Sequence, residues 1–252
     1  MFNPKDQILA LDFDGVIADS IAECLVVGYN AYSKYTGEGK TIASLSDLSP
    51  EVFVEGRRLR NFIRAGQDYV YIHMAIDLGV SIPDQTAYDA FTEKYADRFD
   101  NYFQLFYAER QHLLDEQPEV WNSLNPLYPG IQVFLQKYPE KNKLYIVTTK
   151  KVEYVIEILK FNEIDLIEKN MFHAHQSFPK ADIIQHISDV TEISAKDVVF
   201  VDDQVDTLIK VAPTGASCYL ATWGYNNEEQ QNKSLMNNIP HLKRNDFVQM
   251  VF

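Results

Sequence analysis

Three short apolar runs, ILAL at 8–11, LYIV at 144–147 and VVFV at 198–201, each run straight into hydrogen-bonding or ionisable side chains. Runs of that length without alternation read as strands covered on both faces, as in a parallel α/β sheet. Such a sheet gathers the carboxyl ends of its strands along one crevice, where ligands bind. The first run delivers Asp12 and Asp14 there, the second Thr148, Thr149 and Lys150, and the third Asp202 and Asp203, with Lys180 in a loop between the second and third.

The rest of the chain fits that frame. From Pro126 onward strands and helices alternate: a helix in PGIQVFLQKY with Pro129 at its first position, a helix carrying Val152, Val155, Ile156 and Leu159 on one face, and the loop HAHQSFPK. Helices through Ile183, Ile184 and Ile187 and through Leu208, Ile209 and Ala212 follow, with a last strand, CYLAT, at 218–222. This alternation predicts a Rossmann-like, doubly wound parallel sheet. Residues 19–124 are different in texture. Ile21, Leu25, Tyr29 and Tyr32 form a helical stripe, and helix-like periods rich in Tyr and Phe continue without a convincing strand. The expected organisation is an α/β core made of residues 1–18 and 125–252, with an all-helical domain, 19–124, inserted after the first strand.

The formal net charge of −13 works against nucleic acid or an anionic membrane surface as partners. No apolar run reaches membrane-spanning length and MFNPKDQ has no signal-peptide character, so a cytoplasmic chain is expected. Cys24 and Cys218 have neither a disulfide framework nor CxxC spacing and read as two reduced thiols.

Asp12 and Asp14 repel one another unless a cation or a shared proton holds them. A calcium loop would use Asp12, Asp14 and Glu23 at its first, third and twelfth positions, but Val16 and Ile17 occupy positions that need an oxygen ligand and a glycine. A polar turn is the plainer alternative for this pair, an acidic helix cap for Asp202 and Asp203, a capping hydroxyl for Thr148 and a solvated lysine for Lys180. Their convergence at one sheet edge points instead to phosphoryl transfer. Carboxylate oxygens suit Mg²⁺, a metal and a lysine neutralise phosphate oxygens, and an aspartate then attacks as a nucleophile.

The motifs resemble those of haloacid dehalogenase-like hydrolases, in the phosphoglycolate phosphatase-like branch. Asp12, Asp14, Gly15, Asp19 and Ser20 match the family's D-x-D-G-x-x-x-D-S opening, Thr148 its strand-ending Thr, Lys180 its lone Lys, and VFVDD its acidic pair; LYPGIQVFL and ATWGY are also similar. The resemblance implies Asp12 as nucleophile, Asp14 as acid and then base, and Thr148, Thr149 and Lys180 as phosphate-binding residues. It also implies a Mg²⁺ site from Asp12, Asp14 through its backbone carbonyl, Asp203 and Asp202. Many relatives have Gly at the position of Asp202, Asn at that of Thr149, and a further Asp where this chain has Thr207; counting from Asp202 instead puts Asp206 at that spacing. Gly215 favours Asp203 as the principal metal ligand.

The resemblance makes the inserted helices a cap that closes over a small phosphorylated metabolite. Arg57, Arg60 and Arg64 fall at helical spacing and are candidates for substrate selection, with a solvated basic face as the competing reading. His73 reads as structural, and His173 and His175 lack a third ligand for zinc. The expected activity is a Mg²⁺-dependent phosphatase. A phosphomutase of the same fold shares every core residue named, and a non-catalytic phosphate-binding module is the reading from another class.

Overall fold

The computed structural model describes residues 3–250. By contact the chain divides into two compact units, one built from residues up to Asp19 together with those from Leu127 onward, the other from Ser20–Pro126.

In the first unit, strand β1 (Ile8–Leu11) is wholly buried and central, with parallel neighbours on both sides, which is why it carries no polar residue. The second unit follows in sequence: α1 (Ile21–Thr36), α2 (Pro50–Leu59), α3 (Asp68–Asp77), α4 (Gln85–Lys94), α5 (Phe99–Glu116) and α6 (Pro118–Ser123), with no strand among its residues. Helix α1 packs on α3 and α5 around Tyr71, Tyr102, Phe106 and Trp121, all fully buried. Ends are set locally. Ser49 and Asp84 accept hydrogen bonds from Val52 N–H and Ala87 N–H to start α2 and α4, and Gly37, at φ +81°, closes α1 in the left-handed conformation.

The chain then returns to the first unit with α7 (Ile131–Lys137), β2 (Leu144–Thr148), α8 (Val152–Phe161), β3 (Met171–His173), α9 (Lys180–Thr191) and β4 (Val198–Asp202). Helix α10 (Val205–Val211), β5 (Ser217–Ala221), α11 (Glu228–Met236), β6 (His241–Leu242) and α12 (Arg244–Gln249) complete it. The strands form one parallel sheet in the order β3-β2-β1-β4-β5-β6. This is the doubly wound order, and the chain reverses direction across the sheet at β1, so the switch-point crevice lies at the carboxyl end of β1. On one face Ile8, Ala10, Val147 and Phe200 pack with Ile183, Ile184 and Ile187 of α9 and Leu208 of α10.

The α/β class and parallel sheet are as expected, with three departures in detail. Pro129 does not open α7, because the chain turns at Pro129–Gly130 and the helix begins at Ile131. The segment read as a loop, residues 173–180, is trimmed at both ends, since His173 closes β3, a three-residue edge strand with partly exposed side chains too short to show a period, and Lys180 opens α9. The third departure is β6, two residues long, which is equally silent in sequence. No helix among the described residues is long and apolar enough to cross a membrane. Both cysteines are buried and neither is in a disulfide.

Candidate active site

Asp12 follows β1 directly, and its backbone N–H donates to the Val201 carbonyl (2.9 Å), so the sheet ladder itself fixes where its side chain starts. Asp12 Oδ1 accepts from Phe13 N–H (2.7 Å), and Oδ2 meets Lys180 Nζ at 2.9 Å. Lys180, first residue of α9, is buried and its Nζ also reaches Asp202 Oδ2 (2.8 Å). The other oxygen of Asp202 accepts from Gln204 N–H (2.8 Å). Asp203 is equally buried; its Oδ2 accepts from Tyr225 N–H (2.7 Å) and its carbonyl from Asn226 Nδ2 (3.1 Å).

The loop after β1 is shaped around Asp203. Gly15 has φ +89°, and a Cβ there would stand 2.1 Å from Asp203 Oδ2, so only glycine lets the loop pass this close. Trp223 Nε1 donates to the Val16 carbonyl (3.0 Å) and the Tyr225 hydroxyl to Asp19 Oδ1 (2.7 Å), strapping the same loop from the far side.

Thr148 ends β2 and is buried, and its Oγ1 accepts from Lys150 N–H (3.1 Å). Lys150 turns back to donate from Nζ to Asp14 Oδ1 (3.0 Å). Thr149, between them, is exposed. The structure thus brings Asp12, Lys180 and Asp202 together in one ion-paired cluster, sets Asp203 beside it, and places Thr148 and Asp14 on either side of Lys150.

Charge is unbalanced here. Asp12, Asp14, Asp202 and Asp203 bring four carboxylates against the ammonium groups of Lys150 and Lys180. One oxygen from each of Asp12, Asp202 and Asp203 lies within 4.8 Å of the others, an all-oxygen donor set that fits a hard divalent cation. Burial pushes the Asp12 carboxyl up to about 6, with Asp202 adding to the rise and Lys180 opposing it. Burial alone would lower the Lys180 ammonium, but Asp12 and Asp202 outweigh it and hold the lysine above its ordinary range.

The three arginines lie in the second unit and do not share a helical face. Helix α2 stops at Leu59, Arg60 opens a 3₁₀ turn, and Arg64 lies beyond it. Arg57 and Arg64 are exposed, whereas Arg60 is buried. The guanidinium of Arg64 donates to the Asn61 and Ile63 carbonyls and to Gln85 Oε1. Burial of Phe62 and Ile63 redirects the chain, a tertiary effect that spacing does not show. His73 is buried with Nε2 2.8 Å from the Leu25 carbonyl, a structural role. Glu23, the last position of the discarded calcium loop, is bound to Arg110. His173 and His175 are exposed neighbours, their ring centroids 5.7 Å apart, and no third metal-ligating residue groups with them among the described residues.

Sequence reasoning assigned no role to Lys150 or Tyr225. Lys150 was visible only as one more polar residue at a strand end, and Tyr225 only within ATWGY; their contacts span 136 and 206 residues of chain.

Comparison with known proteins places this geometry. The family model of NLI interacting factor-like phosphatases matches residues 119–251, more than half of the chain, including Thr148, Lys180, Asp202 and Asp203 but not the segment of Asp12 and Asp14. No curated protein matches. Among solved structures, a predicted phosphoglycolate phosphatase from Haemophilus somnus superposes with a TM-score of 0.63 at 16% identity, covering 98% of each chain. A haloacid dehalogenase-like family hydrolase from Streptococcus pneumoniae gives 0.58 at 16% identity, over 96% of this chain and 95% of its own. A haloacid dehalogenase family hydrolase from Deinococcus radiodurans, solved with bound phosphate and sodium, gives 0.55 at 13% identity, over 98% and 95%. At these identities the superpositions speak for the fold, and the family model speaks for the lineage. The chain belongs to the NLI interacting factor-like phosphatases and is a haloacid dehalogenase-like phosphoric monoester hydrolase.

Proposed function

We propose that the protein is a Mg²⁺-dependent phosphatase that hydrolyses a small phosphorylated metabolite, phosphoglycolate-like or a sugar phosphate, through an aspartyl-phosphate on Asp12. The observation that carries this reading is the Asp12–Lys180–Asp202 cluster at the switch point of the sheet, with Asp203 beside it. A buried lysine between two carboxylates opposes the rise that burial imposes on the nucleophile and sets an ammonium donor where phosphoryl oxygens arrive.

In the proposed cycle an Asp12 oxygen attacks phosphorus, the ester P–O bond breaks, and the leaving oxygen takes a proton from Asp14. Water then attacks the same phosphorus and gives its proton to Asp14, phosphate leaves, and Asp12 is regenerated. Thr148 and Lys180 hold phosphoryl oxygens, and Thr149, exposed at the loop tip, contacts the remainder of the substrate or its phosphate. Asp12, Asp203 and the Asp14 backbone carbonyl are the proposed Mg²⁺ ligands. Asp202, one of whose oxygens lies within 4.8 Å of those of Asp12 and Asp203, is a further acidic ligand that also holds Lys180. Bound there, the ion would supply charge neutralisation for the phosphoryl oxygens. The helical unit, residues 19–124 in the expected division, is assigned to substrate selection, with Arg57, Arg60 and Arg64 as its basic candidates.

The test is phosphate release from a panel including 2-phosphoglycolate and hexose phosphates, with Mg²⁺ and after chelation, beside Asp12→Asn. Release that needs Mg²⁺ and falls to background in Asp12→Asn is expected. Release surviving Asp12→Asn contradicts the mechanism, and isomerisation of a hexose phosphate without release marks a mutase.

A further inference from the structure

Lys150 is a buried cation that the cycle above does not use. Its side chain is 1% exposed, and that of its partner Asp14 is 22% exposed. Ion pairs that merely decorate a fold show the opposite arrangement, a lysine reaching outward with its ammonium in water. Removing an ammonium from water costs several kcal/mol unless it is well paired, and apolar replacements of buried pairs are often as stable. An ammonium sunk at the end of β2 with a partly open carboxylate in front of it is therefore arranged for the carboxylate.

The backbone supports this. Lys150 N–H donates to Thr148 Oγ1 at 3.1 Å, so the same short turn fixes a phosphate-side hydroxyl and the root of the lysine, while Nζ fixes Asp14 Oδ1 at 3.0 Å. The two buried lysines divide the carboxylates between them: Lys180 serves Asp12 and Asp202, and Lys150 serves Asp14.

We propose that Lys150 is the positioning residue for Asp14, holding its carboxyl in the direction from which it protonates the leaving oxygen and later takes a proton from water. The proposal rests on the phosphatase reading. Lys150 keeps its own protons throughout: one proton passes from Asp14 to the leaving oxygen, and one returns from water to Asp14.

Lys150→Met, Lys150→Gln and Lys150→Arg test it, with thermal melting to confirm folding. Single-turnover alcohol release is measured with an alkyl phosphate, which needs its leaving oxygen protonated, and with p-nitrophenyl phosphate, which does not. Affinity for inorganic phosphate is measured by calorimetry. Loss of a general acid costs about 10²–10⁴-fold. The Met and Gln variants are expected to lose at least about 10²-fold on the alkyl ester and about tenfold less on the aryl ester. They should also bind phosphate within about threefold of the parent, and Arg should restore most of the rate. Equal losses on both esters with phosphate affinity falling in parallel would make Lys150 a phosphoryl ligand and overturn the proposal, as would an unchanged alkyl rate. Should the Met variant not fold, the Gln and Arg variants give the same comparison. If the parent releases no phosphate, or Asp12→Asn still does, the phosphatase reading falls and takes this one with it. With the parent active and Asp12→Asn dead, an intact Lys150→Met overturns the Lys150 proposal alone.

Discussion

Both units bury an ion pair, but they close it differently. In the helical unit Glu23 Oε1 accepts from Arg110 Nε (2.7 Å) and Trp121 Nε1 (3.0 Å), and Oε2 accepts from Arg110 Nη2 (2.8 Å). The Arg110 guanidinium also lies 4.6 Å from the Phe106 ring centroid, so one anion meets one cation with its hydrogen-bonding capacity filled. In the sheet unit four carboxylates face two lysines, and the excess negative charge is left at the carboxyl ends of the strands. A closed pair completes a fold, whereas an unbalanced cluster is complete only with a cation or a substrate.

The first way to break that contrast is substitution in pairs. Arg110→Met should cost about 3–5 kcal/mol, because a buried Glu23 is left uncompensated, and Glu23→Leu with Arg110→Met should recover most of it while keeping phosphate release. Asp12→Asn with Lys180→Met should lose all turnover and recover no stability, because Asp202 stays buried without its cation. Urea melts beside phosphate release check both; a dead Glu23/Arg110 double variant would show that the closed pair does more than hold the helices.

A smaller effect is expected from acid. Burial drops the His73 imidazole to about 4, the Leu25 carbonyl opposing the fall only in part. The folded state thus binds its proton less readily than the unfolded chain, whose histidine titrates near 6.5. The unfolded state carries more protons between those values, so stability should fall by about 3 kcal/mol as pH drops from 6.5 to 4. Denaturation across that range should show the slope in the parent and a flatter one in His73→Gln.

The smallest effects compare glycines. Gly37→Ala meets no atom within 4 Å, so only its positive φ is strained, about 1 kcal/mol. Gly15→Ala adds a collision with Asp203 and should cost about 1–3 kcal/mol, with weakened Mg²⁺ affinity measured by calorimetry. Equal costs at the two sites would mean that the loop around Asp203 gives way freely.

The same contrast explains what the sequence disclosed. Strands buried on both faces must be apolar throughout, so where β1, β2 and β4 end is written in the residues, and the polar groups after them announce a site. Thr148 and the aspartates were legible for that reason, whereas Lys180, which opens α9, was picked out by the family resemblance. In the helical unit the stripe of α1 was legible but the fate of Arg57, Arg60 and Arg64 was not, because the packing of Phe62 and Ile63 ends the helix between them. Lys150 and Tyr225 stayed hidden because their partners are brought to them by the fold alone, and the pairing of Lys180 with Asp202 was hidden for the same reason.

The central claim is that Asp12 carries the phosphoryl group. Quenching the enzyme during turnover of an active ester and reducing it with borohydride converts an aspartyl-phosphate to homoserine, which peptide mass spectrometry locates. Homoserine at position 12, absent without substrate and absent in Asp12→Asn, is the predicted result. Continued phosphate release with residue 12 recovered only as aspartate would contradict the account.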